Sequence, residues 1–186
     1  KTKEYIFDGD IFQCVVSRRF EADYKNSLIN AYRVLRSTNP SPYMVYMSID
    51  GDEIISTSPE TLVKLQNGVL NTFPIAGSRP RGKTDTEDNA LADELIHDEK
   101  ELAEHNMLVD LGRNDIGKIS EFNSVKVTKY QEVLRYSKIM HICSEVEGKL
   151  KDGLDAFDAI ESLLPAGTLS GAPKILSLIH ISEPTR

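Results

Sequence analysis

This sequence has few cysteines, no long apolar run and no excess of positive charge. Its 186 residues carry 22 Lys and Arg against 29 Asp and Glu, a net charge of -7. Nothing therefore offsets the repulsion of a phosphate backbone, which excludes a general nucleic-acid binder. The two cysteines, Cys14 and Cys143, are too few for a disulfide framework and favour a reducing, cytoplasmic location. No apolar run approaches the roughly 18 residues of a membrane span, so no membrane partner is expected.

The rest of the composition is that of an ordinary globular protein. Hydrophobic residues make up 40% of the chain and charged residues 27%, which allows one sizeable core. The sequence starts with Lys rather than Met, and Tyr5-Ile6 begins in mid-pattern. We therefore expect this chain to be a piece of a longer protein.

Hydrophobic periodicity and turn residues predict a hairpin-rich chain. Asp50-Gly51 and Asn67-Gly68 are typical of tight turns between paired strands. Strands are predicted at 11–18, 43–49, 53–57, 62–65, 69–73, 124–128 and 138–149. Helices are predicted at 26–37, 86–112 and 153–164, with a basic, glycine-rich loop over 74–82 and a helix break at 112–115. This order indicates an α+β fold, with mixed antiparallel sheets flanked by helices, rather than a βαβ alternation.

The segment from Gly167 to Lys174 combines two glycines, two hydroxyl side chains and a proline. Such a turn can direct backbone N–H groups and hydroxyls at a carboxylate or a phosphate. It also fits a simple connection between two helices. It is not a Walker phosphate loop, because no Ser or Thr follows the lysine.

Two carboxylates on the predicted long helix are candidate metal ligands. Glu101 and Glu104 are three residues apart and share a helix face, so they could hold Mg²⁺. A solvated acidic helix face gives the same pattern. The string Glu-x-x-Glu-His lacks the first histidine of the inverted zinc-protease motif, which excludes that zinc site.

Other titratable residues allow both a structural and a chemical interpretation. His141 lies in an apolar strand and could be a structural hydrogen-bonder or a general acid or base. Glu60 follows a proline at a strand end and could be a general acid or a turn carboxylate. Arg79 and Arg81 could steer an anion or belong to a solvated basic loop.

Taken together, these segments resemble the chorismate-utilising enzymes. The resemblance runs from about Asp8 to Lys174, nearly the whole chain. Its motifs are Gly9–Gln13 with Ser17–Phe20, Asn39–Met44, Ser58–Glu60, Pro74–Gly82, Asp98–Asp115, Arg135–His141 and Gly167–Lys174. The resemblance implies that family's α+β fold and a Mg²⁺-dependent reaction of chorismate.

Within this family the sequence is most similar to the large subunit of the anthranilate-forming enzymes. That implies amination of chorismate at C2 with ammonia, then loss of pyruvate to give anthranilate for tryptophan biosynthesis. It also implies a glutamine amidotransferase subunit that supplies ammonia, and tryptophan as a feedback inhibitor.

Two positions distinguish branches of the family. Isochorismate- and salicylate-forming relatives carry Lys where Gln13 stands, and a neutral Gln cannot deprotonate water. Aminodeoxychorismate synthases carry a nucleophilic Lys where Ala76 stands, and Ala has no nucleophile. Both residues favour the anthranilate-forming branch. An aminodeoxyisochorismate synthase, an aminodeoxychorismate synthase and a non-catalytic remnant that binds tryptophan or a partner remain alternatives.

The resemblance also implies residue roles. Glu60, His141 and Gln13 correspond to catalytic positions, with Glu60 as the acid that protonates the departing C4 hydroxyl and His141 acting in pyruvate elimination and aromatisation. Glu101 and Glu104 correspond to the Mg²⁺ ligands, which would hold the ring carboxylate. The implied substrate contacts are Gly167, Thr168, Ser170, Gly171, Ala76, Gly77 and Ser78. The implied tryptophan contacts are Pro42, Tyr43 and Met44.

The end of the sequence departs from the family pattern. We expect residues 1–176 to form a partial chorismate-binding catalytic domain, and residues 177–186 to be a tail foreign to the family. The later family segments that carry a carboxylate-binding Arg and Tyr and a second pair of Mg²⁺ ligands do not follow Lys174. The pocket is therefore expected to be incomplete.

Overall fold

A computed structural model describes residues 1–174 of the chain. The chain divides into two compact units, one formed by Lys1–Val16 with the chain from Leu62 onward and the other by Ser17–Thr61. The predicted boundary at residue 176 and the predicted tail at 177–186 lie outside the described residues. The helices are α1 Thr2–Phe7, α2 Ile29–Thr38, α3 Asp85–His97, α4 Glu99–Gly117, α5 Ala156–Leu163 and α6 Gly167–Ser170. The strands are β1 Gln13–Cys14, β2 Tyr43–Ile49, β3 Asp52–Ser58, β4 Lys64–Gln66, β5 Val69–Thr72, β6 Ile75–Pro80, β7 Lys126–Arg135, β8 Ile139–Lys149 and β9 Gly171–Ala172.

Strand β8 is the centre of the larger unit. Along one edge it pairs antiparallel with β6 through its first half and with β5 through its second, while β7 pairs along the other edge. Its side chains at Met140, Ile142 and Val146 are fully buried. They pack against residues of α3, α4 and α5, among them Leu95 and Val109. The predicted α+β class with antiparallel, hairpin-rich sheets is confirmed.

Both predicted hairpins are present. Strands β2 and β3 pair over seven residues, and β4 and β5 pair around the Asn67-Gly68 turn. Asp50 and Asn67 have φ values of 51° and 52°, and each is followed by a glycine that also has a positive φ. Two successive left-handed residues are the geometry that tight hairpin turns require, which is why the Asx-Gly pairs predicted them correctly.

The predicted loop over 74–82 is wrong, because most of it is strand β6. The prolines and Gly77 suggested irregular backbone, but Pro80 ends the strand and Gly77 forms a bulge between Ala76 and Ser78. The long partner strand β8 supplies the ladder that local sequence could not reveal. The predicted strand at 11–18 is correspondingly too long, since only Gln13 and Cys14 find a partner, in β9.

The single helix predicted over 86–112 is also wrong. Asp98 is extended (φ -76°, ψ 107°) and separates α3 from α4, and its carboxylate accepts hydrogen bonds from the N–H groups of Lys100 and Glu101. An aspartate at this position satisfies the free amides of a new helix. The break predicted at 112–115 does not occur, because Gly112 packs closely against Thr72 and α4 continues to Gly117.

The smaller unit consists of α2 packed on the β2–β3 hairpin. Glu53 joins the two, since its carboxylate accepts hydrogen bonds from Ser27, the Leu28 amide and the Tyr46 hydroxyl. These donors lower the pKa of Glu53, with the Tyr46 bond the largest cause. Within residues 1–174, no helix combines the length and apolarity that crossing a bilayer would require.

Candidate functional site

The bulge at Gly77 lies directly beside His141. Ser78 pairs with His141 in the β6–β8 ladder, and Gly77 has a φ of 65°. Nδ1 of His141 lies 2.9 Å from the Gly77 carbonyl oxygen and 3.0 Å from the Ser78 hydroxyl. The structure therefore brings three predicted site residues together at one point on the sheet.

The contact with Gly77 sets the tautomer of His141. A carbonyl oxygen only accepts hydrogen bonds, so Nδ1 carries a proton, and in the neutral ring the lone pair is on Nε2. The ring of Tyr136 meets the imidazole edge-on, with 5.8 Å between ring centroids. This imidazole can accept a proton at Nε2, which is what a general base needs.

Helix α4 places its two glutamates at different points. Glu101 is half-buried, and its Oε2 lies 3.3 Å from where a Cβ on Gly77 would stand. Lys100 donates to its other oxygen at 3.3 Å. Glu104, one turn further along, lines a cavity instead. The solvated acidic face is therefore not what the structure has, since both side chains are partly buried.

That cavity, which we call the α4 cavity, has a volume of about 620 Å³. Its lining is mostly apolar, with four polar side chains, from Gln13, Glu104, Asp110 and Asn114. The remaining lining residues are Phe12, Ala103, Met107, Leu111, Ala172 and Pro173. A concave apolar site with a few converging polar groups is the usual form of a small-molecule pocket.

Gln13 reaches the α4 cavity through the β1–β9 ribbon. It pairs with Ala172, and Cys14 pairs with Gly171, whose φ is 130°. The Phe12 amide donates to the Ala172 carbonyl oxygen at 2.8 Å. The ribbon thus joins the predicted catalytic position near the start of the chain to the glycine-rich segment near residue 170.

The glycine-rich segment forms the single helical turn α6 and the short strand β9. The segment after Lys174 lies outside the described residues, so the connection between two helices stays a prediction. Gly167 packs so closely on α4 that a Cβ there would lie 2.0 Å from Leu111 Cδ2. Lys174 donates to the Leu163 carbonyl oxygen at 2.7 Å and lies 3.3 Å from Asp115 Oδ1. The predicted substrate contacts at Thr168 and Ser170 stay predictions, because their side chains are outside what the structure describes.

The two arginines of Pro74–Gly82 have structural partners. Arg79 pairs with Glu94 and Asp98, and Arg81 pairs with Asp88. The interpretation of a solvated basic loop is therefore wrong, and the same ion pairs occupy the guanidinium groups that were to steer an anion. They tie β6 to the start of α3 and to the junction of α3 with α4.

Glu60 and the three implied tryptophan contacts lie in the smaller unit. Glu60 follows β3 and keeps an exposed surface, although partial burial of its carboxyl raises its pKa. Pro42 is exposed, the Tyr43 hydroxyl bonds Thr61 at 2.6 Å, and the Met44 carbonyl accepts from Tyr32 at 3.4 Å. A raised pKa is the shift that a carboxyl needs to act as an acid near neutral pH.

The sequence did not predict the buried hydrogen bond between His105 and Ser144. His105 is fully buried, with its Nε2 2.6 Å from the Ser144 hydroxyl. Burial lowers the pKa of His105 and keeps it neutral. Its sequence signal was its position beside Leu108 and Val109 on the apolar side of α4.

The carboxylates of α4 are the candidate metal ligands. Within residues 1–174, no group of three or more His, Cys, Asp or Glu side chains is arranged to hold a metal. Mg²⁺ commonly takes only one or two protein carboxylates and completes its shell with water and substrate oxygens. Glu101 and Glu104 could therefore hold Mg²⁺ but not a cation that needs a full protein cage.

Comparison with known proteins places the chain in one family. The profile described as chorismate binding enzyme matches residues 1–185. Anthranilate synthase component 1 of Acetivibrio thermocellus is 52% identical over 98% of this chain, and aminodeoxychorismate synthase component 1 of Bacillus subtilis is 50% identical over 100% of this chain. The chain spans 37% and 40% of these relatives. The crystal structure of anthranilate synthase component I from Streptococcus pneumoniae superposes with a TM-score of 0.85 at 50% identity, over 98% of this chain and 40% of that one.

Proposed function

Because this chain belongs to the chorismate binding enzymes, we propose that the full-length protein is an anthranilate synthase component 1. It converts chorismate and ammonia into anthranilate and pyruvate for tryptophan biosynthesis. The observation that carries the proposal is the 52% identity to a protein of that name over nearly the whole chain.

The residue at position 76 favours anthranilate over the products of the other branches of the family. Ala76 is buried in β6 and pairs with Ile142, the residue after His141. A methyl group cannot attack C2 of the substrate, so amination there needs free ammonia. Gln13, at the wall of the α4 cavity, is likewise unable to deprotonate water and leaves ammonia as the nucleophile.

Glu60 supplies the first proton in this scheme. The C4 hydroxyl of chorismate is a poor leaving group and departs as water once it is protonated. The raised pKa of Glu60 keeps its carboxyl in the acid form to higher pH than an ordinary glutamate.

Glu101 and Glu104 would hold Mg²⁺ in this scheme. The ion would offset the negative charge of the substrate's ring carboxylate. Asp98 fixes the first turn of α4 by accepting from the Glu101 amide at 3.1 Å. The Glu101 side chain lies beside Gly77, where any larger residue would crowd it.

His141 acts in the second half of the reaction. Its Nδ1–H is held by the Gly77 carbonyl oxygen, which leaves Nε2 to accept the ring proton when pyruvate departs and the ring becomes aromatic. The backbone of Gly77 and Ser78 and the segment Gly167–Gly171 form substrate-contacting walls. Tyr43 and its neighbours Pro42 and Met44 contribute to a tryptophan feedback site, and a glutaminase subunit supplies ammonia in the cytoplasm.

The assay of the full-length protein is the appearance of anthranilate fluorescence from chorismate, ammonium and Mg²⁺. We expect fluorescence that requires both ammonium and Mg²⁺, and that disappears in the Glu104→Gln variant. Isochorismate without fluorescence would overturn the proposal.

Aminodeoxychorismate synthase is the second candidate, supported by the 50% identity to the Bacillus subtilis relative. It predicts an amine at C4, a retained enolpyruvyl group and no fluorescent product.

A further inference from the structure

His105 is a fully buried imidazole to which the proposed chemistry gives no role. Its Nε2 lies 2.6 Å from the hydroxyl of Ser144, whereas its Nδ1 finds no hydrogen-bond partner within residues 1–174. A buried polar atom without a partner costs free energy. An apolar side chain in the same place would avoid that cost, so the distinctive contribution of the imidazole is its directional bond to Ser144.

Ser144 gathers three elements at one hydroxyl. The hydroxyl of Ser144 is hydrogen-bonded to His105 of α4, and it also accepts a hydrogen bond from the backbone N–H of Gln131 at 3.0 Å. Gln131 is a bulge residue of β7 in the left-handed conformation, with a φ of 55°. The side chains of Gln131 and Tyr130 both donate to Asn106, the residue after His105, at 2.9 Å and 2.6 Å. The hydrogen bonds at Ser144 and Asn106 together restrain the position of α4 along the sheet and its rotation about its own axis.

The same two elements carry the predicted chemistry. Helix α4 holds Glu101 and Glu104, which lie one turn and one residue before His105. Strand β8 holds His141, three residues before Ser144. A slide or rotation of α4 against β8 would therefore change where the carboxylates lie relative to the imidazole of His141.

We propose that His105 is a positioning residue, whose bond to Ser144 sets the register of the glutamates of α4 against His141. The inference rests on the proposed function, which gives the glutamates and His141 their roles. Apolar packing between α4 and β8, as between Val109 and Val146, resists separation of the two elements but is not directional. The short buried hydrogen bond between His105 and Ser144 adds a directional constraint between α4 and β8 themselves.

Two amide variants test this claim in the full-length protein. Gln at position 105 reaches the place of Nε2 and can still bond Ser144, whereas Asn reaches only the place of Nδ1. We expect His105→Gln to stay within about threefold of the wild type in kcat and in Mg²⁺ affinity. We expect His105→Asn to lose about 10-fold in each, as supporting residues around metal sites do.

A readout without substrate separates the inference from the proposed function. The ¹³Cε1 signal of His141, in labelled protein, should move in His105→Asn and stay in place in His105→Gln. If the wild type makes no anthranilate but this signal behaves as expected, the function falls and the positioning role stands. If the wild type makes anthranilate and the two variants match in all three readouts, the positioning role is overturned.

A matched control excludes general loss of stability. Val146→Ala opens space at a fully buried site of β8 and leaves both His105 and Ser144 in the sequence. It should lower the melting temperature and leave the His141 signal and the Mg²⁺ affinity unchanged. If Val146→Ala changes them as much as His105→Asn does, the positioning role is also overturned.

Discussion

The ammonium group of Lys174 lies 3.3 Å from Oδ1 of Asp115, and both side chains are about nine-tenths shielded from solvent. The same nitrogen donates to the Leu163 carbonyl oxygen at 2.7 Å. These bonds fasten the end of the glycine-rich segment to α4 and to the end of α5. Ala172 and Pro173, which precede Lys174, line the α4 cavity. The position of Ala172 and Pro173 in the cavity wall therefore depends on the buried ion pair between Lys174 and Asp115.

Lys174→Met should destabilise the full-length protein by about 3 kcal/mol, because it leaves a buried carboxylate with one fewer cation. Lys118, which pairs with Asp115 at 3.0 Å, limits the loss. Chemical denaturation measures the change. Lys118→Met is the control: its side chain is 55% exposed, so we expect a loss of at most about 1 kcal/mol. Equal losses in the two variants would contradict the buried role of Lys174.

Gly77→Ala should reduce kcat by about 10- to 100-fold, since it displaces groups at the site. The new Cβ would lie 3.0 Å from Leu95 and 3.3 Å from the Glu101 carboxylate, on a backbone with φ 65°. Gly153→Ala makes a matched control, because Gly153 has a φ of 81° and nothing within 4 Å of the added carbon. Both variants carry the left-handed backbone cost of about 1–2 kcal/mol, but only Gly77→Ala should lose activity in a steady-state assay. A similar kcat in the two variants would argue against a site at the bulge.

Asp88→Asn should weaken the dependence of the protein's stability on pH in the acid range. Arg81, the Gly82 amide and Arg135 lower the pKa of Asp88 to about 2. The folded state thus favours the ionised form, and the resulting stabilisation is complete above about pH 4 and is lost as the pH falls toward 2. Melting temperatures between pH 5 and pH 2 should fall less steeply in Asp88→Asn than in the wild type. Asp93→Asn, at an exposed carboxylate, should keep the wild-type slope.

Gln13→Lys should introduce isochorismate among the products, because a lysine at the wall of the α4 cavity can activate water. Chromatography of the reaction with chorismate and Mg²⁺, with and without ammonium, measures the ratio of products. Gln13→Met, which offers no base, should lower the rate without giving isochorismate. Anthranilate as the sole product of Gln13→Lys would remove position 13 from the choice of nucleophile.

The sequence predicted those elements whose backbone geometry is set by neighbouring residues. The Asx-Gly pairs at Asp50 and Asn67 predicted two hairpins, because their left-handed backbone is set by the residues themselves. Strand β6 could not be predicted in the same way, because its proline and glycine residues are accommodated by pairing with β8, which lies some 59 to 68 residues further along the chain. The break at Asp98 had a local signal, an aspartate three residues before Glu101, that the continuous run of helical residues obscured.

The candidate site was predictable in part. The motif series singled out His141, Gly77 and Glu101, and these meet at the bulge of β6. Glu101 lies beside the bulge and Glu104, one turn further along α4, lines the cavity. This placement depends on the pairing of β6 with β8 and of β1 with β9, which local sequence does not specify. The buried bond of His105 to Ser144 was not predictable from sequence, because neither residue type specifies a partner 39 positions away.

The position of nitrogen in the product tests directly whether the full-length protein is an anthranilate synthase. The full-length protein is incubated with chorismate, Mg²⁺ and ¹⁵N-ammonium, and the product is examined by NMR and mass spectrometry. We expect anthranilate with ¹⁵N on C2 of the aromatic ring and an equal amount of pyruvate. An ¹⁵N label on C4 of a ring that keeps its enolpyruvyl group, or an unlabelled hydroxylated product, would contradict this assignment.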